Sequence, residues 1–186
     1  MKFYTADTHY DHIKIVTLCY RPFNTLEDMQ NELIARWNAK VTNSDDVYIL
    51  GDFCFRETSA LDFISKINGT KHFITGNHDA DVLKKLANMK TKITRGHMLR
   101  KCFFHGDIME IKDNDTKIAL CHYPIFEWYG SHRGTIHLHG HSHGKIGKSF
   151  KTNAYDVGVD VRNFEPVTLE EIINYQEKGL SDEKDN

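Results

Sequence analysis

The sequence predicts an α/β protein in which two mixed sheets face each other with helices outside, a four-layer α/β/β/α sandwich. Three observations predict it. Apolar strand-like runs alternate with amphipathic helix-like runs through the first half of the 186 residues. In the second half the runs become short and β-like, separated by Gly, Asp and Asn turns. Finally, five polar clusters each begin where an apolar run stops, and strand ends are where α/β folds place functional loops.

The elements follow in chain order. Residues 2–6 read as a first strand that leads straight into Asp7-Thr8-His9, so no signal peptide is expected. Residues 24–39 space Leu26, Met29, Leu33, Ile34 and Trp37 close to the 3.6 period, with Glu27 and Asp28 in the first turn. That pattern is an amphipathic helix. Asp46–Leu50 is a short buried strand ending at Gly51-Asp52. A helix over 59–67 stops at Asn68-Gly69, a strand over 71–75 ends at Gly76, and 81–89 reads as another helix. Strands follow over 101–105, 108–112, 117–121 and 135–139, with Asp113-Asn114-Asp115 as a hairpin turn. Residues 154–161 give a further strand and 169–176 a closing helix. Residues 1–180 are expected to form a single domain, and 181–186 a charged, frayed tail.

Composition narrows the function classes. With 24 basic and 26 acidic residues the formal charge is −2, which argues against a surface that coats nucleic acid. A nucleotide or a short strand held at one site still fits. The four cysteines are scattered without a C-x-x-C pair, and three sit in apolar runs, as reduced buried thiols in the cytoplasm would. No apolar run is long enough to span a membrane.

The polar clusters are Asp7-Thr8-His9, Gly51-Asp52, Gly76-Asn77-His78-Asp79, His122 and Gly140-His141-Ser142-His143. They supply seven metal-binding side chains: Asp7, His9, Asp52, Asn77, His122, His141 and His143. That is too many for one ion and suits two ions sharing a bridging carboxylate. Such ions, about 3.5–4 Å apart, attack phosphate esters with activated water. Asp7 and His9, like His141 and His143, are two apart, so an extended backbone would aim each pair the same way. Glycines 51, 76 and 140 remove a side chain where the chain must turn close to the ions. A lone D-x-H or G-D carries little information; their occurrence together in this order carries much.

The order D-x-H, G-D, G-N-H-D, H, G-H-x-H resembles the calcineurin-like metallophosphoesterase superfamily over residues 5–143. The small bacterial and phage members are the nearest likeness, with Tyr10, His12 and Arg21-Pro22-Phe23 following the first motif. The resemblance implies the same sandwich. It implies that Asp7, His9 and His143 hold one divalent ion, that Asn77, His122 and His141 hold the other, and that Asp52 bridges them. Manganese is the favoured metal, with Fe, Co, Ni or Zn also compatible with this donor set. It further implies a metal-activated hydroxide as nucleophile, with His78 stabilising the transition state or protonating the leaving group. Asp79 is expected to cap the helix that follows it, with orienting a neighbouring group as the alternative. In the phosphoprotein phosphatase branch a second Asp would pair with the motif-three histidine; Phe55 occupies that place, which weakens a protein-phosphatase assignment.

Substrate contacts are expected from His12, Arg56, Trp128 and Arg133. The aromatic stretch 123–133 can stack a nucleobase or pack onto the core, and Arg56 can meet phosphate or a surface acid. His137 and His139 share a sheet face and read as supporting residues, whereas His72, His97 and His105 lack ligand spacing. The reading is a metal-dependent enzyme cleaving small phosphodiesters of nucleotide or cyclic-nucleotide type. Phosphomonoesterase is the alternative. A binding-only module on the same scaffold would be expected to lose His78 or a ligand.

Overall fold

The computed structural model describes residues 1–92, 99–146 and 152–181. Residues 182–186 of the expected tail and His97 lie outside these.

Two four-stranded sheets and five helices make up the described chain. The first sheet holds β1 (Lys2–Thr5), β2 (Asp46–Leu50), β3 (Thr70–Ile74) and β4 (Cys102–Phe104) in that order, all parallel. The second holds β5 (Ile108–Asp113), β6 (Thr116–Cys121), β7 (Ile136–His139) and β8 (Ala154–Asp156). Here β5 and β6 form the expected antiparallel hairpin around Asn114 (φ 50°), and the remaining pairs are parallel.

Side chains of the first sheet alternate between two cores. Phe3, Val47, Ile49 and Phe73 face α2 (Leu26–Lys40), α3 (Glu57–Lys66) and α4 (Ala80–Lys92) through Leu33, Trp37, Phe63 and Leu86. Tyr4, Tyr48, Leu50 and Ile74 face the second sheet through Ile118, Leu120 and Leu138. Burial on both faces explains why β2 reads as an unbroken apolar run. Helix α2 begins where the sequence places it, because the Thr25 side chain accepts from Asp28 N at 3.0 Å.

Beyond a first sheet that is wholly parallel rather than mixed, three details differ from the sequence reading. A short helix, α1 (Lys14–Leu18), precedes α2; five residues are too few to display a period. The strand predicted over 154–161 ends at Asp156, whose carboxylate accepts from Gly158 N at 2.7 Å and turns the chain into a 3₁₀ helix over Val159–Val161. The outermost layer also differs. The far face of the second sheet carries Ala119 and Ala154, covered by Trp128 and Ile125 from the β6–β7 connection, so a loop stands where a helix was expected. Helix α5 (Leu169–Ser181) instead inserts Leu169 and Ile172 into the inter-sheet core beside Tyr4.

Candidate metal centre

Every cluster singled out in the sequence sits at the carboxyl end of a parallel strand. Asp7 follows β1, Asp52 follows β2, Asn77 follows β3, His122 follows β6 and His141 follows β7. The loops are laced together by main-chain bonds: Asp7 N to Gly51 O at 3.1 Å, His9 N to Asp52 O at 2.9 Å, and Gly140 N to His122 O at 3.0 Å. The two sheets meet at the same place, where His122 Nδ1 donates to Leu50 O at 2.8 Å.

Two triads result. One ligand atom from each of Asp7, His9 and His143 lies within 4.8 Å of the others, and the same holds for Asp52, His122 and His141. Asp52 Oδ2 stands between them, 3.6 Å from His9 Nε2 and 3.5 Å from His122 Nε2. Asn77 Oδ1 joins the second triad at 2.9 Å from His122 Nε2 and 3.0 Å from His141 Nδ1.

The backbone that aims these groups is not extended, contrary to the expectation for Asp7/His9 and His141/His143. Asp7 (φ 57°), His9 (46°), Asp52 (53°), His141 (66°) and His143 (48°) all occupy the left-handed region. Each costs on the order of 1 kcal/mol or more for a residue with a Cβ, a strain that clusters at functional sites. The chain turns sharply after β1, β2 and β7, which brings these loops against those that follow β3 and β6. Glycine is demanded at the closest approaches. A Cβ on Gly76 would collide with Asp52, and one on Gly140 with Ala6 and the Asp7 carboxylate.

The electrostatics suit cations. Burial, reinforced by Asp156 and Asp52, pushes the Asp7 carboxyl well above the usual range. Burial, then the Arg21 charge and neighbouring imidazoles, lowers His9 to about 2. Neither His9 ring nitrogen has a hydrogen-bond partner among the described residues, although the residue is 2% exposed. A buried neutral imidazole with an unused lone pair, beside crowded carboxylates, is costly unless a cation completes it. The residues fit a divalent metal pair.

Around the triads, His78 donates its N–H to Asp52 Oδ1 at 2.9 Å and leaves its ring exposed, 5.8 Å from the His9 ring. Phe55 lies between His78 and His12, with ring centroids 4.9 Å and 4.6 Å away. His12 therefore reaches the site. Arg56 pairs with Asp11 at 2.9 Å and keeps 66% of its side chain in solvent, the surface ion pair weighed from sequence. Two substrate expectations are corrected. Trp128 is buried, its indole donating to Thr135 O at 2.9 Å, so no face is offered to a base. Arg133 lines a recess with Asp115, Lys117 and Tyr129, at the opposite end of β6 from His122.

Asp79 also departs from the capping role. Its oxygens accept from Gly76 N and Phe53 N, each at 2.8 Å, tying the second and third loops together. Burial raises it to about 6 against those bonds. His137 and His139 are supports, as expected: His137 Nδ1 donates to Ala119 O and His139 Nδ1 to Gly140 O. His72 and His105 pair with each other at 3.0 Å, and neither joins a triad.

Three participants were not foreseen. Tyr123 lies against His141 (centroids 4.7 Å) and is 44% exposed, so an aromatic face borders the second triad. Asp156 accepts from Ser142 Oγ at 2.6 Å and Gly144 N at 3.2 Å, bracing the His141–His143 loop. Asp160 accepts from His143 Nδ1 at 2.7 Å. Burial opposes the Asp160 charge, but the bonds from His143 and Arg21 prevail and leave its pKa below the ordinary value. The alternation Val157, Val159, Val161 around an acidic Asp160 was the only sequence sign of a buried carboxylate.

Fold and site together define a mixed α/β protein with a histidine- and aspartate-lined centre at its strand ends. No protein-family model matches the chain. It is 31% identical over 182 residues to the uncharacterized protein MJ1445 of Methanocaldococcus jannaschii, covering 94% of this chain and 90% of that one, and it belongs to that protein's family. It is also 27% identical over 204 residues to the gene 66 protein of Mycobacterium phage D29, covering 95% and 98% of the two chains. The crystal structure of AQ665 from Aquifex aeolicus, a protein of unknown function, matches with a TM-score of 0.67. That likeness spans 94% of this chain and 98% of that one at 20% identity, and concerns the fold alone.

Proposed function

We propose that this protein is a metal-dependent phosphoesterase of the calcineurin-like type, acting on small phosphodiesters of nucleotide or cyclic-nucleotide kind. The observation that carries the reading is the position of Asp52 Oδ2, 3.6 Å and 3.5 Å from an imidazole of each triad. Asp7, His9 and His143 would hold one divalent ion and Asn77, His122 and His141 the other, with Asp52 shared. Bound there, such a pair supplies Lewis acidity toward phosphoryl oxygens and an activated water. Mn²⁺ is the favoured occupant, with Fe, Co, Ni or Zn as alternatives.

The chain's own groups supply the rest. His122 donates Nδ1–H to Leu50 O and so presents Nε2 toward the centre. His78, at the exposed rim beside Phe55, is placed to donate a proton or a hydrogen bond to a substrate oxygen. His12 offers a second imidazole on the same side. Tyr123, against His141, gives a flat face for a base or aryl leaving group.

No helix among the described residues is long and apolar enough to cross a membrane. The four cysteines are free and three are buried, which supports a reducing, cytoplasmic setting.

The test strips the protein with chelator and reloads each metal in turn. Activity is then measured on bis(p-nitrophenyl) phosphate, p-nitrophenyl phosphate and 2′,3′-cyclic nucleotides. Metal-dependent hydrolysis with the diesters preferred is expected. Preference for the monoester would establish the phosphatase alternative, and two bound ions without hydrolysis of any substrate would point to a binding module.

A further inference from the structure

The guanidinium of Arg21 is fully enclosed, with none of its side chain exposed, and its oxygen partners all lie beside the first triad, on Asp160 and on the main chain of the loop bearing Asp7 and His9. Nε donates to Asp160 Oδ1 at 2.8 Å and Nη2 to Asp160 Oδ2 at 2.9 Å. Nη2 also donates to Asp7 O at 2.7 Å, and Nη1 to Thr8 O at 3.0 Å. Asp160 Oδ2 in turn accepts from His143 Nδ1. Burying a guanidinium costs several kcal/mol unless its donors are satisfied, and an apolar side chain would fill the same space at no such cost. The placement is deliberate in the backbone too. Helix α1 ends in a turn where Tyr20 takes φ 53° and Arg21 N donates to Val16 O, which swings Arg21 inward.

We infer that Arg21 is a positioning residue for one half of the centre: through Asp160 it orients His143, and through the carbonyls of Asp7 and Thr8 it fixes the loop bearing Asp7 and His9. The inference rests on the metal reading above. A carboxylate can only accept, so Asp160 fixes the proton on His143 Nδ1 and leaves Nε2 as the donor atom. Among the described residues the other triad has no arginine of its own, and its tie to the Arg21-held loop is a main-chain one, His141 N donating to the Asp7 carboxylate at 2.9 Å. His122 is oriented by the Leu50 carbonyl, and none of the Arg21 bonds goes to Asn77, His122 or His141. Lysine cannot replace the fork, because one ammonium cannot reach both carboxylate oxygens and two carbonyls in a plane. Damage at Arg21 or Asp160 is therefore selective, weakening one ion and sparing its neighbour.

The experiment uses the full chain with Arg21→Lys and Asp160→Asn, titrated with Mn²⁺ and Co²⁺. Ions per chain are counted by elemental analysis, affinities come from calorimetry, and circular dichroism of the metal-free forms checks folding. Wild type should bind two ions. Each variant should keep one at wild-type affinity and bind the other about 10–100-fold more weakly. If Arg21→Lys does not fold, Asp160→Asn decides, since it preserves volume and an acceptor oxygen. Variants that bind both ions like wild type, or lose both equally, overturn the positioning role and leave the metal centre standing. A wild type that binds fewer than two ions overturns the metal reading and this inference with it.

Discussion

The backbone N–H of His78 donates to Asp52 Oδ1 across 2.9 Å, so the third loop hangs on the carboxylate whose other oxygen faces His9 and His122. The His78 ring is exposed and is not what holds the loop. His78→Ala should therefore keep its metal content and melting temperature while kcat falls by about 100-fold or more. Steady-state kinetics beside metal analysis checks this, and an unchanged turnover removes His78 from the chemistry.

Asp52→Asn preserves an acceptor for the His78 N–H but removes the charge between the two triads. Paired occupancy should fail, with fewer than two ions per chain after dialysis. In wild type, Mn²⁺ at about 100 times its dissociation constant should stabilise the fold by about 2.7 kcal/mol, and chelation should reverse it. Calorimetric scans with and without Mn²⁺ should show that gain shrinking in Asp52→Asn. An equal gain in both proteins would deny Asp52 a bridging place.

Two aromatics on one connection should behave oppositely. Trp128→Ala empties a buried site and breaks the bond to Thr135 O, so the fold should lose about 3–5 kcal/mol in urea unfolding. Tyr123→Ala removes a half-exposed ring beside His141. It should leave stability nearly unchanged and raise KM for substrates with a base or aryl group more than for methyl esters. Equal effects on both substrate kinds would reject stacking.

His137 gives the fold a pH dependence from outside the two triads. Burial, only partly offset by the bond to Ala119 O, lowers it to about 4, so it is neutral when folded and charged when unfolded at mildly acid pH. The unfolded chain then binds more protons between about pH 6.5 and 4. The stability His137 contributes is complete above 6.5 and lost as pH falls toward 4, by about 3 kcal/mol. Unfolding of metal-free His137→Gln across this range should show a shallower slope than wild type. Parallel curves would mean that the buried imidazole titrates normally.

Much of this architecture was open to reading in the chain itself. Helices α2, α3 and α4 and strand β2 declare themselves because their burial repeats at 3.6 residues or fills both faces of a parallel strand. The grouped side chains were legible for a related reason: each polar cluster interrupts an apolar run, and in a parallel sheet such interruptions gather at one edge. Only local signals could be read this way. Trp128 has the same composition signature whether it stacks a base or plugs a sheet, and the partner that decides, Thr135 O, is set by how the connection folds back.

By itself the sequence determined the fold class, the strand ends and the identity of the grouped side chains, since these depend on periodicity and on residue chemistry. Only the tertiary structure decided how the groups are aimed. The left-handed turns at Asp7, His9, Asp52, His141 and His143 are imposed by packing five loops together, against the local preference of those residues. The bond between Arg21 and Asp160 joins positions 139 residues apart, and only the folded chain brings them together.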